Sequence, residues 1–532
     1  MTPETMSARN GRYVSDGLWT DDTFPEFLSG WAERTPDHVA LVTPDEAVTY
    51  GELAERVNGL AGGLSRLGLG RGDVIAIQLP NSVDFVATYL AVSHIGAVMQ
   101  TVHMPYRGAE LEFLLRHGNA RALVCPAEAG GHSPAAAALE LKPALPSLDH
   151  VIAAGGAVEG TAALAELAAG AGLDKRTALA GEDRFLLLYT SGTTADPKGV
   201  PHRYRGFVYN ARASVAEFGF GIGDVAFPLA PMTHLYGLFS FHLALVAGAT
   251  TALLPAFSPP AFAATVEACR ATTVFAAPAH LTASLNMGLL DAHDFSSVRF
   301  ICLSGSAVPP DLARAVEDKL PNGVTLQLWG MSETQAGAYT RPGDPVDVRQ
   351  HTAGGASPNT ELHVVDDAGQ PLGPGQEGHL QVRGPSAFEG YLDNPAATAA
   401  AFDAEGWFDT GDTATLSNGG HLTITGRVKE IINRGGVKYN PIDVEQTIDR
   451  MDGVERCAIV PYPDDVLGER GCVFVVSAAG DKVSLDDITR ELEGAGIAKF
   501  KWPERLEFID DMPLTPTQKI MRGRLAARLT AT

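Results

Sequence analysis

The chain has 532 residues, 45% of them hydrophobic and 19% charged, so it can bury two or more domain cores and is neither disordered nor fibrous. Its 63 acidic against 40 basic side chains leave a formal net charge of −23, a field that repels polyanions and excludes nucleic acid and acidic membrane surfaces as first-choice partners. Five scattered cysteines, without CxxC or CxxxC spacing, fit neither a disulfide scaffold nor a zinc site and point to a reducing cytoplasm.

The N-terminal stretch MTPETMSARNGRYVSDG has no apolar h-region, so no secretory signal is expected. Over the first 180 residues amphipathic helical patterns alternate with short apolar strands, as in residues 50–67 (helix) and DVIAIQLP at 73–80 (strand). This is the rhythm of an open α/β sheet. Residues 127–172 are rich in Ala and Gly with weak periodicity, and read as surface helices and loops. A second alternation runs from residue 185 to about 330.

Within that second region residues 225–265 contain no Asp, Glu, Lys or Arg, and 235–254 has the length of a membrane helix, about 20 residues. Pro228, Pro231, Gly237, Gly248, Pro255, Pro259 and Pro260 punctuate it, with His234, Ser240 and His242 inside. The expectation is therefore buried helix and strand pieces separated by turns. Residues 361–382 alternate apolar and polar around DDAGQPLGPGQEG, which predicts a small antiparallel β region closed by HLTITGR at 421–427. From residue 429 the chain has its own α+β pattern, with VERCAIVPYP and CVFVVSA as strands and 441–451 and 485–495 as helices. A boundary between 428 and 429 gives an N-terminal domain, 1–428, and a C-terminal domain, 429–532, near the commonest domain size.

FLLLYT at 185–190 is an apolar strand that runs straight into SGTTADPKG at 191–199. Glycine and hydroxyl residues after a strand can wrap donors around phosphate oxygens, while Lys198 supplies a compact counter-charge. The order is not that of a GxxxxGK[ST] loop, because Gly199 follows the lysine. By composition the stretch is a phosphate cradle, with a polar surface turn as the alternative.

TSGTTADPKG closely resembles the phosphate loop of the adenylate-forming superfamily, which includes acyl-CoA synthetases, aryl-acid ligases, peptide-synthetase adenylation domains and beetle luciferases. The other motifs follow in order: PMTHLYGLF (231–239), SGSAVPP (304–310), WGMSET (329–334), GWFDTGD (406–412), GRVKEIINRGGVKYNP (426–441) and PLTPTQKIMR (513–522). The resemblance covers nearly the whole chain. It implies an α/β fold in which a large N-terminal domain of α/β sheets with a small β region is joined to a small mobile α+β domain. It also implies a two-step reaction: a carboxylate attacks the α-phosphate of ATP to give acyl-AMP and pyrophosphate, and a thiol such as CoA then displaces AMP.

Joining a carboxylate to a triphosphate brings anions together, so the site must neutralise charge, and Mg²⁺ is the expected partner of the phosphates. By resemblance, Thr190, Ser191, Gly192, Thr193, Thr194 and Lys198 form the phosphate loop, Glu333 helps to hold Mg²⁺, and Ser332 contacts the α-phosphate. Trp329, followed by Gly330, stacks on adenine, with Gly305, Ser306 and Ala307 along the other face. Asp412 accepts the ribose hydroxyls and Arg427 adds a contact. The same resemblance makes Lys519 the bridge between the attacking carboxylate and the α-phosphate, Lys429 the hinge, and Gly435 and Gly436 the lining of a passage for a pantetheine arm. Taken singly, Glu333 also reads as a helix N-terminal carboxylate, Trp329 as a core residue and Asp412 as a turn residue. Two departures stand out: Ala195 and Gln518 replace the usual glycines, and a left-handed backbone at 195 would cost alanine about 1 kcal/mol.

Amino-acid-activating relatives carry an aspartate in the motif that here reads PMTHLYGLF. Its absence disfavours amino acids, since a buried unpaired ammonium is costly. The expected wall, His234, Leu235, Tyr236, Phe239, Ala277, Ala279, Gly305, Gly330 and Met331, is apolar with several small members. It leaves room for an aryl, alicyclic or polycyclic acid, and the motifs look closest to cyclohexanecarboxylate-type and aryl-acid CoA ligases. His234 resembles the family's gating residue beside the carboxylate, although a lone histidine also reads as a core residue. The expected function is ATP-dependent ligation of such an acid to CoA. The alternatives are a stand-alone adenylating enzyme serving a carrier protein in trans, and a catalytically silent nucleotide-binding protein, which the survival of Lys519, Glu333 and Asp412 disfavours.

Overall fold

The computed structural model describes residues 3–190, 197–434, 437–464, 467–478, 483–515 and 519–530, and it divides into two compact units. Among the described residues the first takes those up to 190, 197–361 and 383–407, and the second takes 362–382 and those from 408 onward.

Two sheets build the first unit. The seven-stranded one runs Ala162–Ala163, His150–Ala154, Ala120–Pro126, Val74–Ile77, Val98–Thr101, Arg184–Tyr189, Gly199–Arg203, parallel except for the last strand. The nine-stranded one runs Gly355–Ala356, Gln335–Tyr339, Val324–Met331, Phe300–Leu303, Thr273–Ala276, Val225–Pro228, Thr250–Ala252, Val39–Val42, Ala47–Thr49. It is parallel in the middle with antiparallel strands at both ends, and Leu41 pairs with Thr251.

The uncharged run folds as expected, into strand Val225–Pro228, helix Leu235–Ala247, strand Thr250–Ala252 and helix Pro259–Cys269. Helix Leu235–Ala247 is buried on every side from Leu235 to Leu245, which is why its sequence lacks a polar face. It meets the equally buried helix Val83–His94, where the Tyr89 hydroxyl lies 2.8 Å from His242 Nε2 and the Phe24 ring stacks on His242 at 3.9 Å. Burial pushes the His242 imidazole down to about 3, so it is a neutral, hydrogen-bonded core histidine. Among the described residues no helix is long and apolar enough to cross a membrane.

One sequence expectation fails here. Residues 127–172 are not only surface helices and loops: His150–Ala154 is an inner strand, four of its five residues buried, paired in parallel with Ala120–Pro126.

The second unit contains a four-stranded sheet, Glu361–Val365, Gly378–Arg383, Phe408–Leu416, Leu422–Arg427, and a five-stranded sheet in which Gly468–Ser477 pairs along its length with the antiparallel edge strand Val454–Asp464. Alternation along Val454–Asp464 divides the latter's core between two faces. Cys457 and Ile459 pack with helices Ile442–Ile448 and Leu485–Gly494, whereas Ala458 and Val460 pack with Leu525 of helix Arg522–Thr530. All five cysteines are free.

Candidate active site

Strand Arg184–Tyr189 delivers the chain to Thr190, whose amide donates to the Lys198 carbonyl at 3.0 Å while the Lys198 amide donates to Thr190 Oγ1 at 3.2 Å. These two bonds close the base of the glycine- and hydroxyl-rich loop; Ser191, Gly192, Thr193, Thr194 and Ala195 lie outside the described residues. The Lys198 ammonium sits 4.5 Å above the centroid of the Tyr391 ring, and the Tyr391 hydroxyl donates to Glu333 Oε1 at 2.9 Å. Glu333 is 4% exposed and lies in the turn between strands Val324–Met331 and Gln335–Tyr339, so it caps no helix. Its backbone carbonyl accepts from the Phe388 amide at 2.7 Å, and the Gly199 carbonyl accepts from the Leu392 amide at 2.8 Å. The segment 388–392 thus ties the lysine of one motif to the carboxylate of another. Tyr391 has no part in the sequence reading.

Trp329 lies buried near the end of strand Val324–Met331, where the register with Gln335–Tyr339 shifts between Trp329 and Gly330. A Cβ on Gly330 would fall 2.1 Å from the Gln335 carbonyl oxygen, and one on Gly337 would fall 2.6 Å from Trp329 Cζ3. The two glycines let the hairpin close over the indole. Gly337→Ala should push the indole aside at a cost of about 1–3 kcal/mol. On the adenine-stacking role that the sequence reading gives Trp329, AMP affinity, followed by titration calorimetry, is expected to drop roughly tenfold. In a Trp329→Ala background the same change should add little further loss; an equal loss there would show that the clash is not with the indole. Gly305 follows strand Phe300–Leu303 with φ +96 and open space around its Cα, so its backbone, not its packing, calls for glycine. Ser306 and Ala307 are exposed and Ser332 is half-buried. Beneath Ser332 the His202 imidazole is pushed down to about 3 by burial and stays neutral, another residue the sequence reading missed.

The loop before helix Leu235–Ala247 is held by Asn81, whose Oδ1 accepts from the Met232 amide at 2.7 Å and whose Nδ2 donates to the Ala230 carbonyl at 3.1 Å. Thr233 Oγ1 lies 2.9 Å from His103 Nδ1, and the His103 and His234 rings are 6.3 Å apart. Burial pushes His103 down to about 4, so it is neutral. His234 is the N-cap of the helix, its Nδ1 accepting from the Tyr236 amide at 3.2 Å. Leu235, Tyr236 and Phe239 are buried; the Tyr236 hydroxyl donates to the Cys302 carbonyl at 2.8 Å, and both rings pack into the core with Phe275. Ala277, Ala279 and Met331 are half-buried, as are His234, Gly305 and Gly330. Asn81 and His103 carry no motif, only polarity in otherwise apolar loops.

In the second unit Asp412 is buried on strand Phe408–Leu416, and its Oδ1 pairs with Arg427 Nε at 2.9 Å across the antiparallel partner. Gly411, at φ +70, places it in an irregular strand and not in the tight turn its sequence suggests. Lys429 is exposed in the short helical turn Val428–Glu430. Gly435, Gly436 and Gln518 lie outside the described residues. Lys519 is partly exposed; its amide donates to Thr515 Oγ1 at 3.1 Å and its carbonyl accepts from the Thr515 amide at 2.7 Å. Three residues on, Arg522 contacts Glu445 through both terminal nitrogens, at 2.5 and 2.7 Å, and reaches Glu430 through Nε at 3.1 Å. One guanidinium thus joins the turn at Lys429 to the end of the Lys519 loop.

The family model for AMP-binding enzymes matches residues 28–392, and that for the AMP-binding enzyme C-terminal domain matches residues 443–519. The chain is 34% identical to the 2-hydroxy-7-methoxy-5-methyl-1-naphthoate–CoA ligase of Streptomyces carzinostaticus over 99% of its own length and 96% of the relative's. It is 32% identical to the medium-chain fatty-acid–CoA ligase of Escherichia coli, over 98% and 94%. The crystal structure of the anthranilate CoA ligase AuaEII in complex with anthranoyl-AMP has a TM-score of 0.88 at 25% identity, covering 96% of this chain and 98% of that one.

Proposed function

Because this chain belongs to the AMP-binding enzyme family, we propose that it works as an AMP-forming acid–CoA ligase on a hydrophobic carboxylic acid. The observation that carries the assignment is the junction of Lys198, Tyr391 and Glu333, which sets a cation on the ring face and a buried carboxylate on the hydroxyl of one tyrosine at the base of a phosphate loop.

Mg²⁺ fits that carboxylate by donor type, since hard cations take oxygen ligands. Among the described residues no group of three or more His, Cys, Asp or Glu could hold a metal, so phosphate and water would complete its coordination. When bound, Mg²⁺ supplies charge neutralisation at the phosphates. The chain's own residues do the rest. Thr190 and Lys198 hold the phosphate chain, Ser332 the α-phosphate, and Trp329 the adenine beside Gly305, Ser306 and Ala307. Asp412, fixed by Arg427, takes the ribose hydroxyls, and Lys519 draws the attacking carboxylate and the α-phosphate together. We assign thioester formation to a rotation about Lys429 that presents Gly435 and Gly436, with the domain boundary between 428 and 429, and we place the enzyme in the cytoplasm, where five free cysteines stay reduced.

The relatives' named acids are a substituted naphthoate, a medium-chain fatty acid and anthranilate, and residues 225–265 offer no carboxylate to meet an α-ammonium. The test is a panel of carboxylic acids scored for pyrophosphate release with and without CoA. Each methylene buried should contribute about 0.8 kcal/mol, roughly fourfold in kcat/KM. Rates should therefore climb from acetate to ring-containing acids, with CoA converting the adenylate to thioester. Acetate or a free amino acid outperforming every cyclic acid would overturn the pocket assignment, and turnover indifferent to CoA would overturn the acceptor.

A further inference from the structure

The geometry points to Tyr391 as a positioning residue that holds Lys198 on its ring face and Glu333 on its hydroxyl, so that the two opposite charges do not pair with each other before nucleotide arrives. This rests on the phosphate and metal roles proposed for Lys198 and Glu333. The ammonium lies 4.5 Å from the ring centroid, and Glu333 Oε1 accepts the phenolic hydrogen at 2.9 Å. In a site as dry as that around Glu333, 4% exposed, a direct lysine–carboxylate pair would be strong. Such a pair would weaken both residues as partners for Mg²⁺ and ATP. A cation–π contact is weaker than that pair and can yield to an incoming phosphate, while the phenol steadies one carboxylate oxygen without adding charge.

The ring is pinned for such a task. The Tyr391 amide donates to Thr398 Oγ1 at 2.9 Å, and the Phe388 ring meets the tyrosine ring edge-on at 4.8 Å. Gly390, at φ +148, has space only for a hydrogen, since a Cβ there would lie 2.7 Å from Thr398 Cγ2. The Gly199 and Glu333 carbonyls bind the amides of Leu392 and Phe388 on either side. The one tyrosine is therefore fixed to both motifs through backbone as well as side chain.

ATP binding is measured by calorimetry across a Mg²⁺ series and in EDTA, alongside KM and kcat, for Tyr391→Leu, Tyr391→Phe and Lys198→Met and for the Tyr391→Leu/Lys198→Met double variant. Tyr391→Leu should raise the Mg²⁺ concentration for half-maximal ATP binding by about 10-fold or more, the scale seen when a ligand's outer partner is lost. Tyr391→Phe, which keeps the ring and folds most conservatively, should raise it less and leave ATP affinity in EDTA unchanged. In the Lys198→Met background Tyr391→Leu should add only the smaller rise that Tyr391→Phe gives alone, because no ammonium remains to pair with Glu333 and only the lost hydroxyl is felt. Additive losses, or a Mg²⁺ requirement that does not move in either tyrosine variant, would overturn the inference. If the unaltered protein failed to bind ATP at all, the functional assignment beneath it would fall instead.

Discussion

Lys519→Ala is expected to reduce acyl-AMP formation by roughly 10²–10³-fold, the scale set by removing one placed donor from a charge-developing transition state. Two anions must meet in this step, and the proposed cation between them is a single flexible ammonium. The fold should hardly notice, because the Lys519 side chain is partly exposed and its loop is closed through the backbone to Thr515. Thioester formation from preformed acyl-AMP should survive, which separates the role from general damage. Pyrophosphate release within a few-fold of the unaltered enzyme would sink the assignment.

Arg522→Met should destabilise the second unit by about 3–5 kcal/mol, because it strands the buried Glu445 carboxylate without its partner. Glu445 is buried, and its two carboxylate oxygens face Arg522 at 2.5 and 2.7 Å with Glu430 on the same guanidinium. Burial raises the Glu445 carboxyl above its ordinary value of 4.5, with Arg522 the main opposing influence. A carboxyl raised on folding contributes stability that is full below 4.5 and lost as pH climbs through the folded value. Without Arg522 that folded value rises further, so the deficit should widen from pH 5 toward pH 8 in denaturant titrations. A deficit below about 1 kcal/mol, the range of exposed pairs, would show that the cluster is not a buried load.

The layers of this fold were legible where pattern and burial agree. The uncharged run from 225 to 265 became strand, helix, strand, helix, because a helix buried on all sides needs no polar stripe. His150–Ala154 was illegible because three of its five residues are His and Ala, weak strand formers; only its place beside Ala120–Pro126 makes it a strand. Asp412 read as a turn because a glycine precedes it, yet pairing with Leu422–Arg427 overrides the local signal. At the site, motifs delivered Lys198 and Glu333 one by one. They could not deliver Tyr391, a lone tyrosine in a loop whose meaning is entirely the company it keeps.

The pairing of Leu41 with Thr251 also sets a clock. Synthesis proceeds at roughly 5–20 residues per second, so strand Val39–Val42 emerges some 10–40 s before its parallel neighbour exists. Through that interval the edge of this apolar strand that faces away from Ala47–Thr49 has no partner for its amides and carbonyls, the kind of edge on which nascent chains pair wrongly. Yield in the cell should therefore respond to translation speed and to chaperones that shield the first quarter of the chain, more than to the final stability of the sheet.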